Sequence, residues 1–274
     1  MSGALAADPI SVFVTIAPQA DVVQKIGKDR VAVQILVEPG ADPHTYEPKP
    51  RQMADLAKTK IYFSIGIEFE KAKLGKIASM NPHLKVVHTD ADILKYPMNG
   101  HHHGESAVHA AQAYPDPHIW LSPPLVMLQA RTILKALQAA DPDHRETYGA
   151  NYRAFILSMV DLDKDLRAVF DRQPGAAFMV FHPSWGTFAH TYGLKQIAIE
   201  TGGKAPKPAQ LTELIREAKH HDIQTVFVQP QFSTKSAREI AKAIGGQVVT
   251  VDPLAMDWAA ELRKIAGKMD HAGK

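Results

Sequence analysis

Pro206-Lys207-Pro208-Ala209-Gln210-Leu211, with Leu214-Ile215 behind it, repeats a phrase already used at Pro48-Lys49-Pro50-Arg51-Gln52-Met53, with Leu56-Ala57 behind it. In both places proline stands where a helix begins, and apolar residues follow at the i, i+3, i+4 spacing of one helical face. The match widens on either side. Glu38-Pro39-Gly40 precedes the first copy and Glu200-Thr201-Gly202 the second; Val86-Val87-His88-Thr89-Asp90 resembles Val248-Val249-Thr250-Val251-Asp252; Phe69 and Phe232 open equivalent helices. Self-similarity in this order argues for two like lobes around a pseudo-twofold axis.

Short strand-like runs fall at Ser11–Ile16, Val31–Val37, Ile61–Ile65 and Lys85–His88, and again at Phe178–His182, Lys195–Ile199, Thr225–Gln229 and Gln247–Val251. Helix-like stretches separate them, which is the pattern of βαβ units and parallel sheets. The expected fold class is α/β, with two pseudo-symmetric lobes, each a four-stranded parallel sheet with flanking helices. Asp141-Pro142-Asp143 starts a helical pattern in which Tyr148, Tyr152, Phe155, Ile156, Met159, Leu162, Leu166 and Val169 recur at spacings of three and four. It runs to about Arg172 and stops at Pro174-Gly175. Roughly 30 residues at about 1.5 Å each give about 45 Å, so one long backbone helix is expected to join the lobes. The predicted division is 8–141, an N-terminal metal-binding lobe; 142–173, the linking helix; and 174–274, a C-terminal metal-binding lobe.

The chain has 274 residues and 45% apolar content, enough for two cores. A net charge of +2 without a basic block gives no argument for nucleic acid or an anionic membrane. No apolar run approaches the roughly 18–20 residues of a spanning helix. There are no cysteines, which removes disulfides, thiolate sites and cysteine nucleophiles. The start, Met1-Ser2-Gly3-Ala4-Leu5-Ala6-Ala7-Asp8, lacks a charged n-region and an apolar h-region. Ala4-Leu5-Ala6 has the small-x-small pattern left of a signal cleavage site, so Met1 reads as an added start on a mature chain. The expected location is the periplasm, after removal of a signal peptide; the alternative is a cytoplasmic protein with an Ala-rich start.

Histidine is in surplus, 14 residues in all. In a chain without thiols this favours a nitrogen and oxygen metal site. Three histidines stand beside proline at element boundaries: His44 in Asp42-Pro43-His44-Thr45-Tyr46, His118 in Asp116-Pro117-His118-Ile119-Trp120, and His182 in Phe181-His182-Pro183-Ser184-Trp185. The first loop is an insertion. From Glu38 to Pro48 is ten residues, whereas from Glu200 to Pro206 is six. Loops beyond the carboxyl ends of parallel strands are where α/β folds place ligands. The plainer reading of any one of these residues is a hydrogen-bonded structural histidine. Against it stands their common setting at equivalent strand ends in both halves, with Asp252 at the end of the last strand as a fourth donor. Three nitrogens and an oxygen favour Zn²⁺ over Mg²⁺ or Ca²⁺.

The motifs Gly40-Ala41-Asp42-Pro43-His44-Thr45-Tyr46-Glu47-Pro48, Asp116-Pro117-His118-Ile119-Trp120-Leu121, Phe181-His182-Pro183-Ser184-Trp185 and Val251-Asp252-Pro253-Leu254 together carry a resemblance. The sequence is similar to the cluster A-I (cluster 9) solute-binding proteins of zinc and manganese ABC transporters, in particular their ZnuA-type zinc-uptake branch. The match covers the chain from Ile10 to the last helix. It implies two α/β lobes, a backbone helix, and a metal held between the lobes by His44, His118 and His182. Asp252 matches an acidic position that binds metal in manganese-type relatives; zinc-type members often leave that place to water or another carboxylate. Manganese-type relatives commonly have Glu at the position of His182, so the implied ion is Zn²⁺ and the alternative Mn²⁺. The implied partner is the membrane permease of a zinc importer, and a monomer is expected.

Gly100-His101-His102-His103-Gly104-Glu105, followed by His109, reads as a loop of its own. Zinc-branch relatives often have a His- and acid-rich loop here, and these four histidines are the candidates for a secondary, weaker metal loop. A solvated spacer is the alternative. His83, His144, His190, His220, His221 and His271 read as structural or surface residues. Three rival functions remain. One is a manganese-binding member, another a metal-binding surface adhesin of the same fold. The third is a zinc hydrolase, against which stands the lack of a His-Glu-x-x-His helix and a recognisably placed general base. The lack of a Gly-x-Ser-x-Gly elbow and of a Walker A loop likewise leaves a serine hydrolase or an ATPase unsupported. No enzymatic activity is expected.

Overall fold

The computed structural model describes residues 8–98, 115–200 and 203–270. The chain forms two compact units, the first made of Met1–Ile93 with Leu125–Met159, the second of Leu94–Pro124 with Val160–Lys274. Unit 1 contains strands β1 (Ile10–Val14), β2 (Val31–Ile35), β3 (Ile61–Ser64) and β4 (Lys85–His88), with helices α1 (Ala17–Gly27), α2 (Pro50–Leu56), α3 (Glu68–Met80) and α4 (Pro123–Ala140). Helix α5 (Arg145–Phe170) follows a 3-10 turn at Pro142–His144 and runs from the first unit into the second. Unit 2 then supplies β5 (Ala177–Val180), α6 (Gly186–Thr191), β6 (Lys195–Ala198), α7 (Pro208–His220), β7 (Thr225–Val228), α8 (Lys235–Ile244), β8 (Gln247–Thr250) and α9 (Trp258–Asp270).

Both sheets are parallel throughout. Their orders are β2-β1-β3-β4 and β6-β5-β7-β8, the same topology twice. The two inner strands of each sheet are apolar on both faces, because helices cover both sides of a parallel sheet. In unit 1, Val12, Phe13 and Val14 of β1 and Ile61, Tyr62 and Phe63 of β3 are all buried. Unit 2 sorts its strand residues by face. Met179, Ile197, Val226 and Val228 pack with Leu214 and Ala218 of α7 and Ala237 and Ile240 of α8. Phe178 and Phe227 face the other way, and with Phe188, Phe170 and Tyr192 they make a chain of aromatic contacts 5.0–6.4 Å between centroids. Each such side chain contributes about 1.5–3 kcal/mol on burial.

The repeat survives to the level of single hydrogen bonds. Lys49 N donates to Gln52 Oε1 (2.9 Å) at the start of α2, and Lys207 N donates to Gln210 Oε1 (2.8 Å) at the start of α7. The glutamine three residues into each helix thus satisfies a backbone donor just outside it. Phe232 departs from the expected pattern. It does not open a helix but sits in a turn, its N donating to Gln229 O, and α8 begins only at Lys235.

All eight expected strands are present, and seven end one or two residues earlier than their apolar runs. The chain stays buried past the ladders: Leu36 N still donates to Val14 O and Val37 N to Thr15 O (2.9 Å each). At this edge of unit 1, Glu70 accepts from Ile65 N (3.1 Å), Gly66 N (2.5 Å), Ile67 N (3.1 Å) and the Thr15 hydroxyl, which also meets Tyr62 Oη at 2.9 Å. Burial pushes the Glu70 carboxyl above its usual range, although these hydrogen bonds pull it down.

Candidate metal centre

Two Asp-Pro-His triplets turn out to be one device used twice. In unit 1 the Asp42 carboxylate accepts from His44 N at 2.9 Å and from Thr45 Oγ1 at 3.2 Å. In unit 2 the Asp116 carboxylate accepts from His118 N at 3.0 Å. An aspartate bonding to the backbone two residues on is an Asx turn, and proline between them stiffens it. Each histidine is thereby presented from a fixed bend.

Asp116 does more. Its Oδ1 also meets His118 Nδ1 at 2.7 Å, and its Oδ2 accepts from Thr187 N (3.0 Å) and Thr187 Oγ1 (2.9 Å). Burial opposes its charge, but His118 and these donors outweigh burial and hold the Asp116 carboxyl below its usual range. Gly186 makes room for it: a Cβ there would lie 2.8 Å from Asp116 Oδ2, and the two hydrogen bonds on each oxygen of this carboxylate keep it from moving aside. Trp120 Nε1 donates to Pro253 O at 2.8 Å, so the rest of the motif is pinned to the chain just beyond β8.

His182 lies two residues beyond the end of β5. Its Nδ1 meets Glu200 Oε1 at 2.7 Å, and Glu200 is itself buried. The fully buried Gln229 grips the backbone on both sides, accepting from His182 N (3.1 Å) and donating to His182 O (2.7 Å). Phe232 stacks on the imidazole at 4.9 Å and 23°. His182 and Gln229 leave adjacent strands, β5 and β7, at the point where the strand order reverses, the usual ligand crevice of an open α/β sheet.

Unit 2 brings His118 and His182 together. Their ring centroids are 5.5 Å apart at 71°, and each offers a nitrogen within 4.8 Å of the other's. His44 is half-buried in unit 1. Asp252 forms no comparably tight set with His118 and His182 among the described residues. Its Oδ1 accepts from Gln231 Nε2 and Leu254 N, both at 3.0 Å, and its N donates to Glu261 at 3.1 Å. His101, His102, His103 and His109 lie outside the described residues. Sequence reading gave no site role to Glu200, Gln229 or Phe232, naming Glu200 and Phe232 only within the internal repeat, and used Asp116 only as part of a motif. The available signal was the aspartate two places before histidine in both triplets.

Comparison with known proteins bears on what such an arrangement serves. The family described as "Zinc-uptake complex component A periplasmic" matches residues 12–269. The chain belongs to the ZnuA family. ZnuA-family proteins are solute-binding proteins and not enzymes, which sets the hydrolase aside. Among relatives, the "High-affinity zinc uptake system protein ZnuA" of Bacillus subtilis (strain 168) is 27% identical over 252 residues, 90% of this chain and 79% of its own. A crystal structure of ZnuA is 41% identical, with a TM-score of 0.89 over 97% of this chain and 100% of that one. A ZnuA deletion mutant with zinc bound is also 41% identical, with a TM-score of 0.87 over 97% and 98%.

Proposed function

We propose that this protein is the extracytoplasmic solute-binding component of a zinc ABC importer, taking up one Zn²⁺ and handing it to the membrane permease. The observation that carries the reading is the pair of imidazoles in unit 2, each with Nδ1 against a carboxylate oxygen and each offering a nitrogen within 4.8 Å of the other's. That is the arrangement of zinc-binding histidines, whose second nitrogen is held by an acid. His44 is assigned as the third ligand, presented by the same Asx turn as His118. The fourth place falls to Asp252 or to water. The zinc-bound relative at 41% identity supports zinc as cargo. No helix among the described residues is long and apolar enough to cross a membrane, and the periplasm is the proposed compartment, reached by way of a cleaved signal. One ion per monomer is the proposed working unit.

Calorimetry on the single variants His44→Ala, His118→Ala and His182→Ala tests the assignment. Each is expected to lower zinc affinity by more than the roughly 10–100-fold that loss of an outer partner costs, with the fold retained by circular dichroism. Asp252→Asn distinguishes carboxylate from water at the fourth place. Unchanged affinity in any histidine variant removes that residue from the site, and a wild-type protein that takes up no zinc ends the reading.

A further inference from the structure

The strand ladders align the two units in a register that the written sequence does not give. Val14 of β1 faces Ile35 and Phe63, and Val180 of β5 faces Ala198 and Phe227. Counting outward from these residues, His182 takes the place of Ile16, Glu200 that of Val37, and Gln229 that of Ile65. Hydrogen bonds beyond the strand ends agree: Val37 N donates to Thr15 O, and Glu200 N to Phe181 O. Glu200 therefore corresponds to Val37 and not to Glu38, one residue away from the match that the letters suggest. In unit 1 the three positions are apolar, at most 5% exposed. In unit 2 all three are polar, and two of them bond directly to the third.

Exchanging three buried apolar residues for polar ones costs stability unless the groups satisfy one another. Here Gln229 and one Glu200 oxygen both bond to His182, and Gln229 also donates to Ser184 Oγ at 3.1 Å. Gln229 fixes the His182 backbone, Phe232 covers one face of its ring, and Glu200 takes its Nδ1. An unprotonated carboxylate has no proton to give. The proton of a neutral His182 ring must then reside on Nδ1, which leaves the lone pair on Nε2.

We propose that Glu200 is a positioning residue for His182. It selects the tautomer whose Nε2 binds zinc and holds the ring ready before the ion arrives, so that binding does not have to order it. This rests on the reading of His182 as a zinc ligand.

The test uses the whole chain, labelled with ¹⁵N-histidine, first without metal and then titrated with zinc alone. In the metal-free wild type at pH 8, His182 is expected as the Nδ1–H tautomer. Glu200→Val copies the residue that unit 1 carries at the same place. It is expected to shift His182 toward the Nε2–H form and to lower zinc affinity by about 10–100-fold. Glu200→Gln, whose amide oxygen can still accept, is expected to restore both in large part. An Nε2–H ring in the metal-free wild type overturns the proposal whatever the variants do. So does a Glu200→Val protein that loses zinc with its tautomer unchanged, because that loss would be purely structural. A wild type that shows the Nδ1–H ring but binds no zinc sinks the functional reading and leaves the positioning role standing.

Discussion

Glu70 shows how one buried acid sets its own pH response. It sits at the start of α3 with three backbone N–H groups and a threonine hydroxyl on its carboxyl, yet burial outweighs them and raises its pKa. A group whose pKa is raised by folding holds more protons in the native than in the unfolded state between the two values. The native state therefore loses stability as pH rises through that window, from about 4.3, the ordinary glutamate value, to the raised one. Urea titrations of the wild type and Glu70→Gln between pH 4 and 8 read this directly. The wild type is expected to lose ground relative to the variant as pH rises, and then to level off. The opposite slope would mean that the hydrogen bonds outweigh burial.

At the scale of elements, much was legible in the letters, and the exceptions have physical causes. The strands could be read because short apolar runs between helical stretches have few other homes in a two-lobed α/β fold. Their ends could not, because residues such as Ile16 and Val37 stay buried after the ladder stops, and burial is all that an apolar run reports. His118 and His182 were visible through their proline neighbours, whereas Glu200 and Gln229 were not. They are 18 and 47 residues from His182, and a lone buried polar residue looks like an exposed one until the strands are laid side by side. The register turns this into an experiment. The combined variant His182→Ile, Glu200→Val, Gln229→Ile gives unit 2 the strand-end residues of unit 1. Replacing a buried polar network by apolar residues of similar size is often neutral or stabilising by about 1–4 kcal/mol. The variant is expected to unfold at the same urea concentration as the wild type or a higher one, and to bind no zinc at the paired imidazoles. A loss of more than about 3 kcal/mol, at the scale of breaking a buried pair, would show that the trio is there for the fold.

For the molecule as a whole, the two units differ in what can be seen of them. All three tryptophans, Trp120, Trp185 and Trp258, belong to unit 2. Indole fluorescence therefore follows the unfolding of unit 2, while far-ultraviolet circular dichroism follows both units. Zinc at a hundred times its Kd stabilises whatever binds it by about 2.7 kcal/mol. If His44 joins His118 and His182 in holding the ion, as proposed, zinc is expected to raise the midpoints seen by both probes. In His44→Ala, the rise seen by dichroism is expected to shrink more than the rise seen by fluorescence. Equal shifts in wild type and variant would separate His44 from the ion.

The closeness of Trp120 to His118, 5.1 Å between ring centroids, reaches beyond stability. Zinc has a filled d shell and neither absorbs visible light nor changes oxidation state. Copper(II) or cobalt(II) at the same imidazole would accept the excitation of the neighbouring indole and darken it. The protein's own emission thus tells an impostor ion from its cargo, with no label added.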